Sequence, residues 1–234
     1  MMQPQDATTL YFFKVWPWIE TNKNRLIVGA CIIAAAVCLA YFFSWRHEQS
    51  EIAADKALTA LFISLPADTG TDKLADLYLG VAAKNHGTLA GQRALLQGAA
   101  ILFDAGRYAE AQAQFQKFLN DYPDNAFAPQ ASLGVAASLD AQGKTDLAAG
   151  AYQKIINGFA DATAVNAAKF SLARIDESQG KLTDAFHDYA DVAEHSNPNS
   201  SLGSEAVQHA IELKARLPAA PSPTNPAPAF NLNH

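Results

Sequence analysis

The sequence predicts an all-α protein in which an N-terminal transmembrane helix leads into a solenoid of antiparallel helix pairs. Three observations carry this expectation. The first is an uncharged apolar run from Leu26 to Trp45, and the second is a glycine that recurs every 37 residues at Gly106, Gly143 and Gly180. The third is a composition outside the run rich in Ala, Leu, Gln, Asp and Lys, which favours helices over strands.

Residues 1–25 read as a cytoplasmic or interfacial segment, with Tyr11, Phe12, Phe13, Trp16 and Trp18 suited to one face of a bilayer. Residues 26–45, LIVGACIIAAAVCLAYFFSW, follow as the span. At about 1.5 Å per residue they extend about 30 Å, the thickness of the hydrocarbon layer. A water-soluble core helix needs a polar face, and this run has none. Polar groups close both ends: Asn22, Lys23, Asn24 and Arg25 before it, Arg46, His47 and Glu48 after it. Tyr41, Phe42, Phe43 and Trp45 suit the second interface. The run ends in Phe-Phe-Ser-Trp-Arg-His, which offers no small-x-small cleavage site. Only five apolar residues precede Cys31, so a lipoprotein signal fits poorly as well.

Cys31 and Cys38 are the only two cysteines. On one helix they stand about 10 Å apart along the axis, too far to bridge. Lys14, Lys23 and Arg25 precede the run, and Arg46 and Lys56 follow it. By the positive-inside rule this charge distribution favours a cytoplasmic N-terminus by a thin margin. In a bacterial host the C-terminal part then faces the periplasm, with the span in the inner membrane.

Residues 46–217 read as the helical repeat domain. Glu48 to Ser64 is helix-periodic and can continue the membrane helix into solvent, Pro66 to Thr71 breaks it, and Asp72 to Lys84 forms another helix. These two segments are expected to make an irregular first unit that caps the solenoid. Three repeats follow, over about 91–127, 128–164 and 165–201. Seven residues before each glycine stands Ala99, Ala136 or Ala173, and five after it Ala111, Ala148 or Ala185. Nine after it comes an aromatic (Phe115, Tyr152, Tyr189), and twelve after it a bulky apolar residue (Phe118, Ile155, Val192).

This pattern describes a helix, a tight turn and a second, antiparallel helix. Glycine adopts the positive φ that ends the first helix, alanines let two helices cross closely, and the larger side chains fill the remaining space. Tyr122-Pro123-Asp124 and Asn197-Pro198-Asn199 end second helices, because proline cannot continue them. One such pair cannot bury its apolar faces alone, so the pairs stack. Ser204 to Leu217 supplies a final covering helix, and residues 218–234, Pro-rich and poor in large apolar side chains, read as a disordered tail.

The Gly106-Arg107-Tyr108 turn, with Ala99, Ala111, Phe115 and Pro123, resembles the tetratricopeptide repeat (TPR) pattern. Leu95, Ser132 and Lys169 replace the early Trp of that pattern, and the closing proline is missing near Ala160 in the second unit. The resemblance implies that the first helix of each pair lines a concave groove for peptides or partner proteins. Carried over by position, that groove comprises Arg93, Leu96, Ala100 and Phe103, then Gln130, Leu133 and Asp140, then Phe170, Arg174 and Glu177. Mixed apolar and charged groups suit an extended segment. The Lys and Asn arrangement of TPR proteins that clamp a C-terminal carboxylate is absent.

No enzyme is expected. HExxH, GxSxG, P-loop, GxGxxG and CxxC patterns are all missing, and His86, His187, His195 and His209 lack ligand spacing. Asp184, Asp188 and Asp191 could share one helix face, which reads as a solvated surface and not a calcium site. No cofactor is expected. The net charge of −6, without a basic stripe, argues against a nucleic-acid partner.

The whole layout, a short leader, one span, a TPR-like domain and a tail, resembles the bacterial family of ancillary Sec translocon subunits. That resemblance implies partners drawn from translocon subunits or periplasmic chaperones. The alternative expectation is a self-assembling membrane module that forms a homo-oligomer, or an envelope TPR protein that coordinates cell division.

Overall fold

A computed structural model of the chain describes residues 7–64, 70–197 and 199–217, with side chains at all of these except 7–19, 26, 30, 62 and 64. The Pro-rich stretch 218–234, most of the Pro66–Thr71 break, Pro198 and the N-terminal aromatic side chains lie outside the described residues. The chain divides into two compact units, Met1–Ala57 and Leu58–His234.

Helix α1 runs unbroken over Ala7–Ser64. The helix therefore begins well ahead of the expected span and also takes in the segment from Glu48 to Ser64. Within it, Glu20–Leu61 is long and apolar enough to cross a membrane. In the first unit Ile27, Ile32, Ile33, Val37, Leu39 and Phe43 are all exposed. These positions point to every side of the helix, so this stretch has no polar face to offer water.

In the second unit, described on its own, the helices after α1 are α2 (Thr71–Lys84), α3 (Leu89–Asp104), α4 (Tyr108–Asp121), α5 (Ala128–Ala141), α6 (Thr145–Gly158), α7 (Ala162–Ser178), α8 (Leu182–His195) and α9 (Ser201–Arg216). The described residues contain no strand. Each helix packs on the next in the chain. In addition α3 touches α5, α5 touches α7, and α7 touches α9, whereas α2, α4, α6 and α8 make no such contacts with one another. The odd-numbered helices are therefore crowded on one side and the even-numbered helices splay apart on the other. This asymmetry makes the odd-numbered side concave, as in stacked helical repeats.

The recurring glycines set the repeat. Gly106, Gly143 and Gly180 have φ of 77°, 71° and 78°, in the left-handed region. Each ends its helix with the same pair of bonds. Gly106 N–H donates to Phe103 O and Arg107 N–H to Leu102 O, both at 2.9 Å. Gly143 and Lys144 repeat the pair with Asp140 and Leu139, and Gly180 and Lys181 with Glu177 and Asp176. This is the Schellman arrangement, which satisfies carbonyls left over at a helix end.

Side chains cap several of the odd-numbered helices. Thr88 Oγ1 accepts from Gly91 N–H at the start of α3, Asp161 from Thr163 and Ala164 at α7, and Ser200 from Gly203 at α9. Asp161 also accounts for the missing proline of the second unit. Helix α6 ends at Gly158, Phe159 turns extended, and the next helix starts on its own cap.

All twelve positions singled out by the 37-residue period are buried: the alanines before and after each glycine, the aromatics, and Phe118, Ile155 and Val192. They fall into three successive cores. Burying one such large side chain contributes about 1.5–3 kcal/mol, so each core is worth more with its neighbour stacked against it. The period also extends beyond the three repeats. Tyr78 of α2 stands 37 residues before Phe115 and is buried in the first core. Ala206 of α9 stands 37 residues after Lys169 and is buried in the last.

Candidate partner-binding groove

Helices α3 and α5 form an open, continuous groove on the concave side. One cleft of about 390 Å³ is lined by Leu58, Tyr78, Arg93, Leu96, Gln97, Ala100, Phe127 and Gln130. A second of about 250 Å³ adjoins it through Ala100 and Gln130, and continues over Phe103, Asp104, Phe115, Leu133, Gly134 and Ala137. The α-helix brings these residues to one face because positions three, four and seven apart lie above one another. Thus Arg93, Leu96, Ala100, Phe103 and Asp104 form a line down α3. Gln130, Leu133 and Ala137 form the facing line on α5.

The floor is apolar and the rims are polar. Phe103 lies edge-on to Tyr108, with ring centroids 5.1 Å apart, so its ring is held half-buried against the first core. Phe115 closes the second cleft from beneath. A β-carbon on Gly134 would meet its ring, so the absence of a side chain there lets the phenyl group surface in the groove.

Of the candidate residues, Arg93, Leu96, Ala100, Phe103, Gln130 and Leu133 line these two adjoining clefts. The four remaining candidates have other partners. Asp140 Oδ2 accepts from Arg174 Nη2 at 2.9 Å, which ties α5 to α7. Phe170 packs edge-to-face on Tyr189 and His209, at 5.2 and 6.0 Å. Glu177 accepts from Arg216 Nη1 at 3.0 Å and lies 3.5 Å from His209 Nδ1. Tyr189 stacks on His209 at 4.6 Å, and burial, followed by the Glu177 charge, pushes its phenol up to about 12. Phe170 and Glu177 therefore serve the seating of α9.

Sequence reasoning missed Leu58, Tyr78, Gln97, Phe127 and Asp104 as groove residues. Leu58 and Tyr78 belong to the unit before the first glycine, where no turn marks the register. The signal was nonetheless present, since Tyr78 is in phase with Phe115, Tyr152 and Tyr189. Phe127 comes from the connection between repeats, which the period does not describe.

Elsewhere several polar side chains hold the repeats together. Lys169, which stands where the repeat pattern has an aromatic, reaches Asp191 of α8. That hydrogen bond draws the Asp191 carboxyl below its ordinary range, against some opposition from burial. Asp188 moves the other way, raised by burial and by the charge of Asp176. Asp188 and Asp191 thus occupy different surroundings on α8. Among the described residues no three His, Cys, Asp or Glu side chains converge to hold a metal ion.

Helix pairs stacked at a constant period, with a concave face open to solvent, define an α-solenoid of the kind that offers a surface to other chains. Residues 16–148 match the tetratricopeptide repeat-like domain family, over more than half of the chain, and the protein belongs to that family. The match begins within α1, ahead of the apolar run, and ends in α6. Among solved structures the chain is similar to one described as "MamA RS-1 ArsTM double mutant", with 14% identity and a TM-score of 0.47. That alignment covers 73% of this chain and 97% of the other. No curated protein matches the sequence.

Proposed function

We propose that the protein is a membrane-anchored scaffold whose concave groove holds extended segments of partner proteins. The observation that carries this reading is the continuous groove from Leu58 to Ala137, apolar along its floor and edged by Arg93, Gln97, Gln130 and Asp104. An apolar floor supplies affinity and a polar edge supplies register, as in other grooves that receive peptides. Helix α1 serves as the anchor, since one stretch is apolar on every side and long enough to span.

In the fuller form of the proposal the anchor lies in a bacterial inner membrane, and the second unit faces the periplasm. The partners are then translocon subunits or periplasmic chaperones. Support comes from the charge distribution around Leu26–Trp45 and from the layout of one span followed by TPR-like repeats.

Crosslinking in intact cells tests both levels. A photoreactive residue at Phe103 or Gln130 is irradiated, and the captured proteins are identified by mass spectrometry, with a control probe at Asp146 of α6. Translocon or periplasmic chaperone peptides at the groove positions support the full reading. Cytoplasmic partners overturn the topology, and a ladder of the protein alone points to self-assembly.

A further inference from the structure

The groove has a polarity along its length. Arg93 stands at one end, exposed and lining the first cleft, and Asp104 stands at the other, exposed and lining the second. Among the described residues neither has an ion-pair partner. The other charged candidates of the concave face differ in this respect, because Asp140 is tied to Arg174 and Glu177 to Arg216. Between these two charges the lining is apolar apart from the Tyr78 phenol and the amides of Gln97 and Gln130. They stand eleven positions apart on α3, about 16 Å along the helix axis at 1.5 Å per residue.

From this we infer that the groove selects an extended segment of a partner protein with an acidic residue at one end and a basic residue at the other. Two bulky apolar side chains lie between them, and the segment is seated in one direction only. The inference rests on the groove binding protein segments, as proposed above, and adds what they must contain. An extended chain advances about 3.3 Å per residue, so the acidic and basic residues stand about five positions apart. The carboxylate pairs with the Arg93 guanidinium, whose planar fork matches it in two bonds. The base pairs with Asp104, and the apolar pair fills the clefts beside Leu96 and Phe103. A reversed segment places like charges together at both ends, so charge sets direction while the floor supplies affinity. Residues 218–234 of the chain itself contain no Asp, Glu, Lys or Arg, so they do not meet this description.

The test is a selection from phage-displayed random dodecapeptides on the full chain in lipid nanodiscs, with counter-selection on empty nanodiscs. The expected result is enrichment of peptides in which one acid and one base flank two apolar residues, in a single order. Repeated on the double variant Arg93→Glu with Asp104→Lys, the selection should enrich the opposite order. In fluorescence polarisation the two orders should differ by about 3- to 10-fold at low salt, and the difference should shrink as salt screens exposed charges. Enrichment that depends on Phe103 but shows no charge order, or an order unmoved by the double variant, overturns the inference and leaves groove binding standing. Charge-free peptides rich in Pro and Ala would name the chain's own 218–234 stretch as the occupant. No enrichment over empty nanodiscs would overturn both the inference and the groove reading.

Discussion

A β-carbon at Gly134 would lie 2.5 Å from Phe115 Cε2, so α5 crosses α4 at a distance that leaves no room for a methyl group. The ring cannot swing aside, because Phe115 is part of the first buried core. This one approach couples the core of one repeat to the floor of the groove.

Gly134→Ala is therefore expected to destabilise the repeat unit. Overpacking costs about 1–3 kcal/mol, against a gain of about 1 kcal/mol in helix propensity. Gly150 in α6 is the control, since a β-carbon there meets nothing within 4 Å. Gly150→Ala should stabilise by about 0.5–1 kcal/mol. Thermal denaturation of the detergent-solubilised chain, followed by circular dichroism, reads both. Two changes of the same sign and size would refute the account of the crossing.

The turn glycines respond differently, through the backbone. A β-carbon on Gly106, Gly143 or Gly180 would touch nothing, yet each residue has positive φ. Replacement by alanine should cost about 1–2 kcal/mol at each site, and replacement by asparagine less, because asparagine tolerates this region better. Equal losses for alanine and asparagine in the same melting experiment would show that φ is not the cause.

Acid should loosen the α7–α8 pair. Lys169 holds the Asp191 carboxyl below its ordinary value, so the folded state favours the charged form. The stabilisation is present above the unfolded value of about 4 and is lost as pH falls through the lower folded value. Lys169→Met should lower stability at neutral pH and flatten the decline below about pH 4. Denaturation midpoints between neutral and strongly acid pH check this, and parallel curves for the two proteins would exclude the pair as the source.

Helix α9 should detach locally when its anchors are cut. Glu177 accepts from Arg216 and lies beside His209, and Phe170 packs on His209 and Tyr189. Glu177→Gln should speed amide exchange in α9 by a few-fold, and Phe170→Ala by more, since it also removes packing worth about 2 kcal/mol. Exchange in α3 and α4 should stay unchanged. Equal acceleration throughout would mean global unfolding rather than release of one helix.

Much of the fold was legible because each repeat writes its own constraints into the chain. Gly106, Gly143 and Gly180 mark turns whose φ excludes most other residues, and the alanines and aromatics at fixed offsets mark close crossings and the filling between them. The irregular ends were harder to read. Tyr78 keeps the period, but no glycine precedes it to announce a turn. Lys169 reads as a surface residue until Asp191 is found opposite it. The groove was legible only for its first half, since Asp140, Phe170 and Glu177 carry the same register signature as Leu96 and Phe103.

The sequence by itself determined the helical class, the period and register of the repeats, and one stretch apolar on every side, because each of these follows from local backbone geometry and side-chain spacing. Only the tertiary structure decided which concave positions stay open. Helix α9 takes Phe170 and Glu177, Arg174 takes Asp140, and Arg93 and Asp104 have no ion-pair partner among the described residues. That division depends on contacts between residues about thirty to forty positions apart, where a side chain's role is set by its neighbour in space and not by its place in the repeat.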